Sequence, residues 1–175
     1  MNKLVRMLRY DWPLHFALLL TNWLPDNVPF LRLRGWLARP FFGACGPNLR
    51  LGRNLIFYNP AAIFLGADIY IAPGCWFMAG DPIRVGDQVL FGPYCAVVSS
   101  EHTFLQDSFR FGKPVHAPIQ IDKGCWIAAH VVITAGCMIG EQSLVAAGAV
   151  VTQNIPPGVL AGGLPARVIH RNGDE

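Results

Sequence analysis

The chain has 175 residues, of which 53% are hydrophobic and 14% charged, and its formal net charge at pH 7 is +3. This length suffices for one domain with a sizeable core. A charge this small and scattered argues against nucleic acid as a partner. Neither apolar run near the N-terminus reaches the twenty or so residues that span a bilayer.

Residues 1–48 differ in composition from the rest of the chain and predict a helical cap. The stretch DWPLHFALLLTNWLP, residues 11–25, has an aspartate before an early proline, a run of helix formers and Pro25 as a stop. The stretch PFLRLRGWLARP, residues 29–40, predicts a second helix that is basic and amphipathic. We expect these helices to shield an open end of the repeat that follows.

Two other interpretations of residues 1–48 stay open. Lys3, Arg6 and Arg9 precede apolar residues, as in a signal peptide, although Asp11, Pro13 and the lack of a small-residue cleavage site argue against one. The second interpretation is a segment that contacts the inner face of a membrane. Its contact residues would be Arg32, Arg34, Arg39, Trp12, Trp23 and Trp36.

From Leu51 onward, a bulky apolar residue recurs every six positions, with two spacings of eight and one of 24. The series comprises Leu51, Phe57, Leu65, Ile71, Phe77, Val85, Phe91, Val97, Ile121, Ile127, Ile133, Ile139, Val145 and Val151. A period of six fits neither an amphipathic helix nor a half-buried strand. It predicts an all-β solenoid in which three short strands and three sharp corners make each triangular turn.

Four of the five cysteines occupy a compact position of this repeat, four residues after the bulky one. This placement favours buried thiols in a reducing cytoplasm over a disulfide framework. Cys75 and Cys95 would lie on adjacent turns, so their spacing permits one disulfide.

One interruption divides the repeat. The step from Val97 to Ile121 is four times six, so the strand phase resumes unchanged. We predict that residues 103–118 form a loop that leaves the solenoid without altering its register. Because loops on a rigid scaffold concentrate binding and catalysis, His102 at the root of this loop is the candidate catalytic residue. Neutral imidazole, with an ordinary pKa near 6.5, suits a general base that takes a proton from a hydroxyl group.

The stretch IAAHVVITAGCMIGEQSLVAAGAVVTQNIPPGVLAGGLPARVI, residues 127–169, resembles the hexapeptide-repeat acyltransferases. It resembles especially the branch of the galactoside and maltose O-acetyltransferases and the related polysaccharide acetyltransferases. The resemblance covers Leu51 to about Arg171. It implies a left-handed parallel β-helix, a homotrimer and acetyl-CoA as the acyl donor, without a metal. We therefore expect a cap of residues 1–48 and a β-helix domain of residues 49–171.

The resemblance also assigns roles to individual residues. His102 matches the histidine base of a T-x-H-P-like segment, although EHTF here lacks the threonine and the proline. Thr152 and Gln153 match a Thr-Lys pair near the CoA phosphates, from which the lysine is missing. Arg167 and His170 match basic positions at those phosphates. The residues that match the pantetheine channel are Trp126, Ala129 and Ala147.

The acceptor side is less well defined by the sequence. Asp81, in the two-residue insertion AGDP, and His116, in the loop, are the candidates for binding the acceptor. The predicted function is O-acetylation of a sugar or polysaccharide-precursor hydroxyl. The alternatives are N-acylation of an amino sugar and a non-catalytic assembly protein. A zinc enzyme is disfavoured because His102, His116 and His130 stand fourteen residues apart. His130 is interpreted as a structural or trimer-interface residue.

Overall fold

A computed structural model describes residues 2–171. Its N-terminal segment is helical, with α1 (Lys3–Arg6), α2 (Trp12–Thr21) and α3 (Val28–Ala38). A π-helical turn (Met7–Asp11) joins α1 to α2, so the first helix begins well before the predicted residue 11. A 3-10 turn (Arg39–Phe41) follows α3. No helix among the described residues is long and apolar enough to cross a membrane.

The rest of the chain winds into a left-handed β-helix of about six turns, as predicted. Face A contains β1 (Ala44–Cys45), β4 (Ile63–Leu65), β7 (Ile83–Val85), β12 (Ile119–Ile121) and β15 (Met138–Ile139). Face B contains β2 (Arg50–Leu51), β5 (Tyr70–Ile71), β8 (Leu90–Phe91), β13 (Trp126–Ile127), β16 (Leu144–Val145), β18 (Val159–Gly162) and β19 (Arg167–Arg171). Face C contains β3 (Ile56–Tyr58), β6 (Trp76–Met78), β9 (Ala96–Val98), β14 (Val132–Ile133) and β17 (Val150–Val151).

The chain passes from face A to face B, then to face C, and back to face A. We call the three corners edge AB, edge BC and edge CA. All strand pairs within the faces are parallel except β18 with β19. Successive turns are therefore separated by the roughly 4.8 Å of a strand pair.

The bulky residues of the period-six series form the core, because they stack on one another from turn to turn. On face B, Leu51 pairs with Ile71, and Ile71 pairs with Phe91. Thirteen of the fourteen residues are buried. The exception is Phe57, which is half-buried and stacks on Phe77 with ring centroids 5.3 Å apart.

The compact positions hold free thiols. Cys75, Cys95, Cys125 and Cys137 are buried, and all five cysteines are free. Cys75 and Cys95 lie on adjacent turns, and each sulfur donates to the Gly92 carbonyl, at 3.1 and 3.2 Å. The disulfide that their spacing permits is not formed.

The helical cap closes the first turn through α3. Gly35 lies against the Leu49 carbonyl so closely that a Cβ at this position would overlap the oxygen. Arg34 is buried and forms an ion pair with Asp26 at 2.8 Å, and its guanidinium also donates to the Leu51 carbonyl at 3.0 Å. The expectation that Arg34 faces a membrane is therefore wrong, because this side chain fastens the cap to the solenoid.

Candidate active site

The interruption of the repeat lies at edge CA on the third turn. Strand β10 (Ser100–Glu101) leaves the solenoid after β9 and pairs antiparallel with β11 (Val115–His116), so the excursion begins two residues before His102. Beyond this pair, Thr103 Oγ1 donates to the Lys113 carbonyl at 2.7 Å. The root of the loop is consequently a short, hydrogen-bonded hairpin neck, which gives His102 a defined backbone position.

The tip of the loop is a small apolar hairpin. Leu105 and Ser108 exchange backbone hydrogen bonds of 2.9 and 3.1 Å around a two-residue turn. Phe104 and Phe109 pack edge to face with centroids 5.1 Å apart, and both side chains are about 60% exposed. The loop therefore presents an apolar wall next to edge CA.

The structure brings both acceptor candidates to the loop root. Asp81 lies at edge CA one turn below the loop, and His116 covers the backbone of Gly80 beside it. The pairing of Ser100 with His116 places His116 across the neck from the strand that leads to His102. Asp81, His102 and His116 thus cluster at one corner of the solenoid.

A buried serine that sequence reasoning did not single out holds this corner together. Ser99 is fully buried, and its hydroxyl accepts from the Asp81 N–H at 3.0 Å and donates to the Asp81 carbonyl at 2.7 Å. These bonds fix the main chain of Asp81 to the root of the loop. A signal was present in the sequence, since Ser99 directly follows the last period-six strand before the interruption.

The predicted pantetheine residues lie elsewhere on the molecule. Trp126 projects from face B between Leu90 and Leu144 and is 49% exposed. Ala129 and Ala147 lie at edge BC on successive turns. The corner at Ala147 borders open space, because a Cβ at the next residue, Gly148, would meet nothing within 4 Å.

The remaining donor residues lie at the last turns. Thr152 and Gln153 are exposed at edge CA, two turns beyond the loop. Arg167 and His170 are exposed on β19, the antiparallel strand that ends face B. The guanidinium of Arg167 donates to the carbonyl of the neighbouring residue, Ala166, at 2.9 Å.

His130 belongs to the structural framework of edge BC. It has a left-handed backbone (φ 60°), a conformation that lets the chain turn sharply at a corner. Its ring stacks on Tyr94 of the turn below, with centroids 5.2 Å apart and planes inclined by 12°. Residues 2–171 contain no group of three or more His, Cys, Asp or Glu side chains arranged to hold a metal ion.

Within a single chain, the predicted site residues are therefore separated into two groups. His102, Asp81 and His116 lie at edge CA, whereas Trp126 and the two alanines lie at face B and edge BC, with face C between them. Face C is apolar on its outside, where Ile56, Tyr58 and Trp76 are exposed.

Residues 118–153 match the family model of the bacterial transferase hexapeptide, six repeats. The galactoside O-acetyltransferase of Escherichia coli K12 is 32% identical over 140 residues, which cover 80% of this chain and 62% of that protein. This chain therefore contains the hexapeptide repeat of that family in residues 118–153 and is similar to a family acetyltransferase over 80% of its length. It spans between 49% and 62% of the length of the first curated hexapeptide-repeat relatives that it matches.

Solved hexapeptide-repeat structures share the whole fold, including the helical cap. The acetyltransferase of Vibrio cholerae in complex with acetyl coenzyme A superposes with a TM-score of 0.82 at 28% identity, over 99% of this chain and 91% of that one. The maltose O-acetyltransferase of Clostridium difficile 630 superposes with a TM-score of 0.81 at 26% identity, over 97% of this chain and 89% of that one.

Proposed function

We propose that this chain is an acetyl-CoA-dependent O-acetyltransferase that acts on a carbohydrate hydroxyl, with His102 as the general base. The observation that carries the proposal is the position of His102, at the root of the excursion that leaves the convex solenoid between β9 and β12. Acetyltransferase relatives that include galactoside and maltose enzymes support the reaction class. In this proposal residues 1–48 are the cap and residues 49–171 the catalytic domain.

The residues present suit an acyl-CoA donor. The small side chains of Ala129 and Ala147 leave the corners of edge BC accessible, so an extended pantetheine chain can approach the backbone. Trp126 offers an exposed aromatic face beside them. Arg167 is exposed at the end of the solenoid, where a guanidinium suits a phosphate.

The chain's own contribution to the reaction is proton transfer and positioning. Acetyl-CoA supplies an acetyl group that is activated as a thioester. An imidazole nitrogen of His102 takes the proton of the acceptor hydroxyl as its oxygen attacks the carbonyl carbon, and the same nitrogen then returns the proton to the leaving sulfur. Asp81 and His116 border the same corner and orient the acceptor.

A homotrimer completes the site. Because His102 lies at edge CA and the pantetheine residues lie beyond face C, a site within one chain would have to reach around an apolar face. Packing against a neighbour around a threefold axis would cover apolar surface and place edge CA of one protomer beside edge BC of the next. Three such sites form in each trimer.

The test is an incubation of the full chain with acetyl-CoA and a panel of neutral sugars, amino sugars and polysaccharide precursors, monitored by release of free thiol. We expect thiol release that depends on a neutral carbohydrate hydroxyl, with one O-acetyl group in the product by mass spectrometry. Acetylation confined to amines would replace this proposal by N-acylation. Absence of transfer to every acceptor, with coenzyme A bound, would refute the carbohydrate assignment.

A further inference from the structure

The helical cap exposes a continuous apolar surface. Leu4, Leu8, Trp12, Phe16 and Leu20 follow one another at a spacing of four, and each is at least 49% exposed. In an α-helix, side chains four residues apart rotate gradually around the helix axis, because one turn takes 3.6 residues. The π-helical turn (Met7–Asp11) holds more residues per turn and offsets the drift. These five residues with Val5, Leu19 and Trp23 are the N-terminal stripe.

The N-terminal stripe is not needed to attach the cap to the solenoid. The opposite side of α2 makes that contact, since Leu14 is buried and Leu18 packs against the core. Eight large apolar side chains, each about half exposed or more, form a patch on the order of several hundred Å², which reaches the size of functional patches on soluble proteins. Such a surface requires a partner.

The positive charge of the molecule is concentrated in residues 1–41, the segment that contains the N-terminal stripe. Six basic and two acidic residues give residues 1–41 a net charge of +4, whereas eight basic and nine acidic residues leave residues 42–175 at −1. Both acidic residues of the segment are already paired, Asp11 with Arg6 at 3.3 Å and Asp26 with Arg34 at 2.8 Å. The exposed basic residues of the segment are Lys3, Arg9, Arg32 and Arg39.

We propose that the N-terminal stripe binds the surface of an anionic lipid bilayer. An in-plane helix with leucine, phenylalanine and tryptophan on one side and basic residues at its border suits this interface. Tryptophan in particular suits the boundary between headgroups and acyl chains, and Trp12 and Trp23 both belong to the stripe. Contact between the same segments of two copies is disfavoured, because it would bring together two surfaces of like charge.

Vesicle sedimentation tests the proposal without reference to enzymatic activity. The full chain is mixed at low salt with sucrose-loaded vesicles of phosphatidylglycerol and phosphatidylcholine, or of phosphatidylcholine alone. We expect at least tenfold stronger partition onto the anionic vesicles, and a loss of that preference in 0.5 M NaCl as the charges are screened. Equal pelleting with both kinds of vesicle, or none, would overturn the proposal.

Two sets of variants locate the binding surface. Lys3→Gln, Arg9→Gln and Arg32→Gln together should lower partition at least tenfold, because each basic residue near the surface contributes separately. The matched control, Arg110→Gln with Lys113→Gln and Lys123→Gln, removes three charges outside the cap, two from the loop and one from the solenoid, and should change partition less than twofold. An equal loss in both triple variants would overturn the assignment to the cap.

The apolar part is tested by Leu8→Glu with Phe16→Glu, which should abolish pelleting while circular dichroism and the melting temperature stay unchanged. The triple Gln variant keeps the proposal testable if this double variant does not fold. Sedimentation velocity measures the oligomeric state of the Glu variant and so tests whether a second copy of the chain covers the stripe. If the Glu variant lost its oligomeric state and still pelleted with anionic vesicles, the stripe would be a contact between copies and the proposal would be refuted.

Discussion

At the scale of single residues, the proposed reaction depends on one proton acceptor. A hydroxyl group is hardly ionised at neutral pH, so the base that meets it contributes a factor of about 10² to 10⁴. We expect His102→Ala to lower kcat by that factor in a thiol-release assay while coenzyme A binding and the melting temperature stay unchanged. His15→Ala, an exposed histidine of the cap, is the matched control. Activity of the His102 variant within threefold of wild type would remove this residue from the mechanism.

A second prediction concerns the nucleotide end of the donor. In the proposed function Arg167, which is exposed at the end of face B, contacts the phosphates of the donor and not its thioester. Arg167→Ala should raise KM for acetyl-CoA about tenfold or more and leave KM for acetyl-pantetheine unchanged, since only the former carries the phosphates. Lys123→Ala, at edge AB, serves as the charge control. Equal effects on both donors would contradict the assignment.

A third prediction concerns the thiol nearest the surface. Burial raises the pKa of Cys45 to about 11, against a smaller opposing effect of the nearby Arg39 charge. The unfolded chain therefore loses this proton at lower pH than the folded protein does, so the stability that the folded thiol contributes is present below about pH 8.5 and is lost as the pH rises toward 11. Burial also raises the pKa of Cys125.

Urea unfolding at intervals from pH 7.5 to 10.5 measures this effect. The free energy of unfolding should fall with rising pH, and the fall should be smaller in Cys45→Ala than in the wild type. Identical pH dependence in the two proteins would show that Cys45 is not the group responsible.

At the scale of elements, α3 packs closely against the first turn because Gly35 has no side chain. In an ordinary helix, alanine in place of glycine stabilises by about 1 kcal/mol. At Gly35 the added Cβ would overlap the Leu49 carbonyl, so α3 would have to move away from β2. We expect Gly35→Ala to lower the free energy of unfolding by about 1 to 3 kcal/mol, the range found for overpacked sites.

Leu33→Ala, at an exposed position of the same helix, is the control and should change stability by less than half of that amount. Chemical denaturation of both variants gives the comparison. A stabilised Gly35 variant would mean that the cap is not held at this distance in solution.

At the scale of the whole molecule, the division of the site predicts its assembly. The chain of 19.2 kDa should sediment at about three times that mass, in keeping with closed cyclic symmetry. His102→Ala disables edge CA, and Ala147→Trp blocks edge BC. If neighbouring protomers share each site, an equal refolded mixture of these two inactive variants should recover about one quarter of wild-type activity. The reason is that about three in four random trimers are mixed and each has one intact site.

Proven mixed trimers without activity would place each site within one chain, and a fully active monomer would refute the trimer as well. A mixture of wild-type and His102→Ala subunits, in which activity should fall in proportion to the wild-type fraction, controls for the refolding yield.

Local spacing was sufficient to predict the solenoid. A bulky residue every six positions has a single role in this fold, to fill the interior, and Phe77 and Ile133 are fully buried accordingly. The multiple-of-six step across the interruption likewise predicted that β12 resumes the register of β7, which the pairing of Ile121 with Val85 confirms. The roles of His102 and the donor residues rest on the resemblance and on their placement, and they remain predictions.

Other features were decided only by contacts between distant parts of the chain. The sequence predicts Arg34 to be an exposed basic residue of an amphipathic helix. In the structure its guanidinium is buried and donates to Asp26 and to the carbonyl of Leu51. These contacts allow the burial, because a buried charge is stable only when it is paired and hydrogen-bonded. The neck that begins at Ser100 depends on β11, fifteen residues further along the chain. Burial of the Ser99 hydroxyl depends on the turn below it.

The sequence alone therefore determined the repeat, its register and the position of the interruption, because each follows from interactions between neighbouring turns at a constant spacing. The tertiary structure decided which polar side chains are buried, that Asp81 and His116 meet at the corner of His102, and that Trp126, Ala129 and Ala147 lie beyond another face. These placements depend on how the chain turns at its corners, and a periodic sequence does not show which residues of different turns meet there.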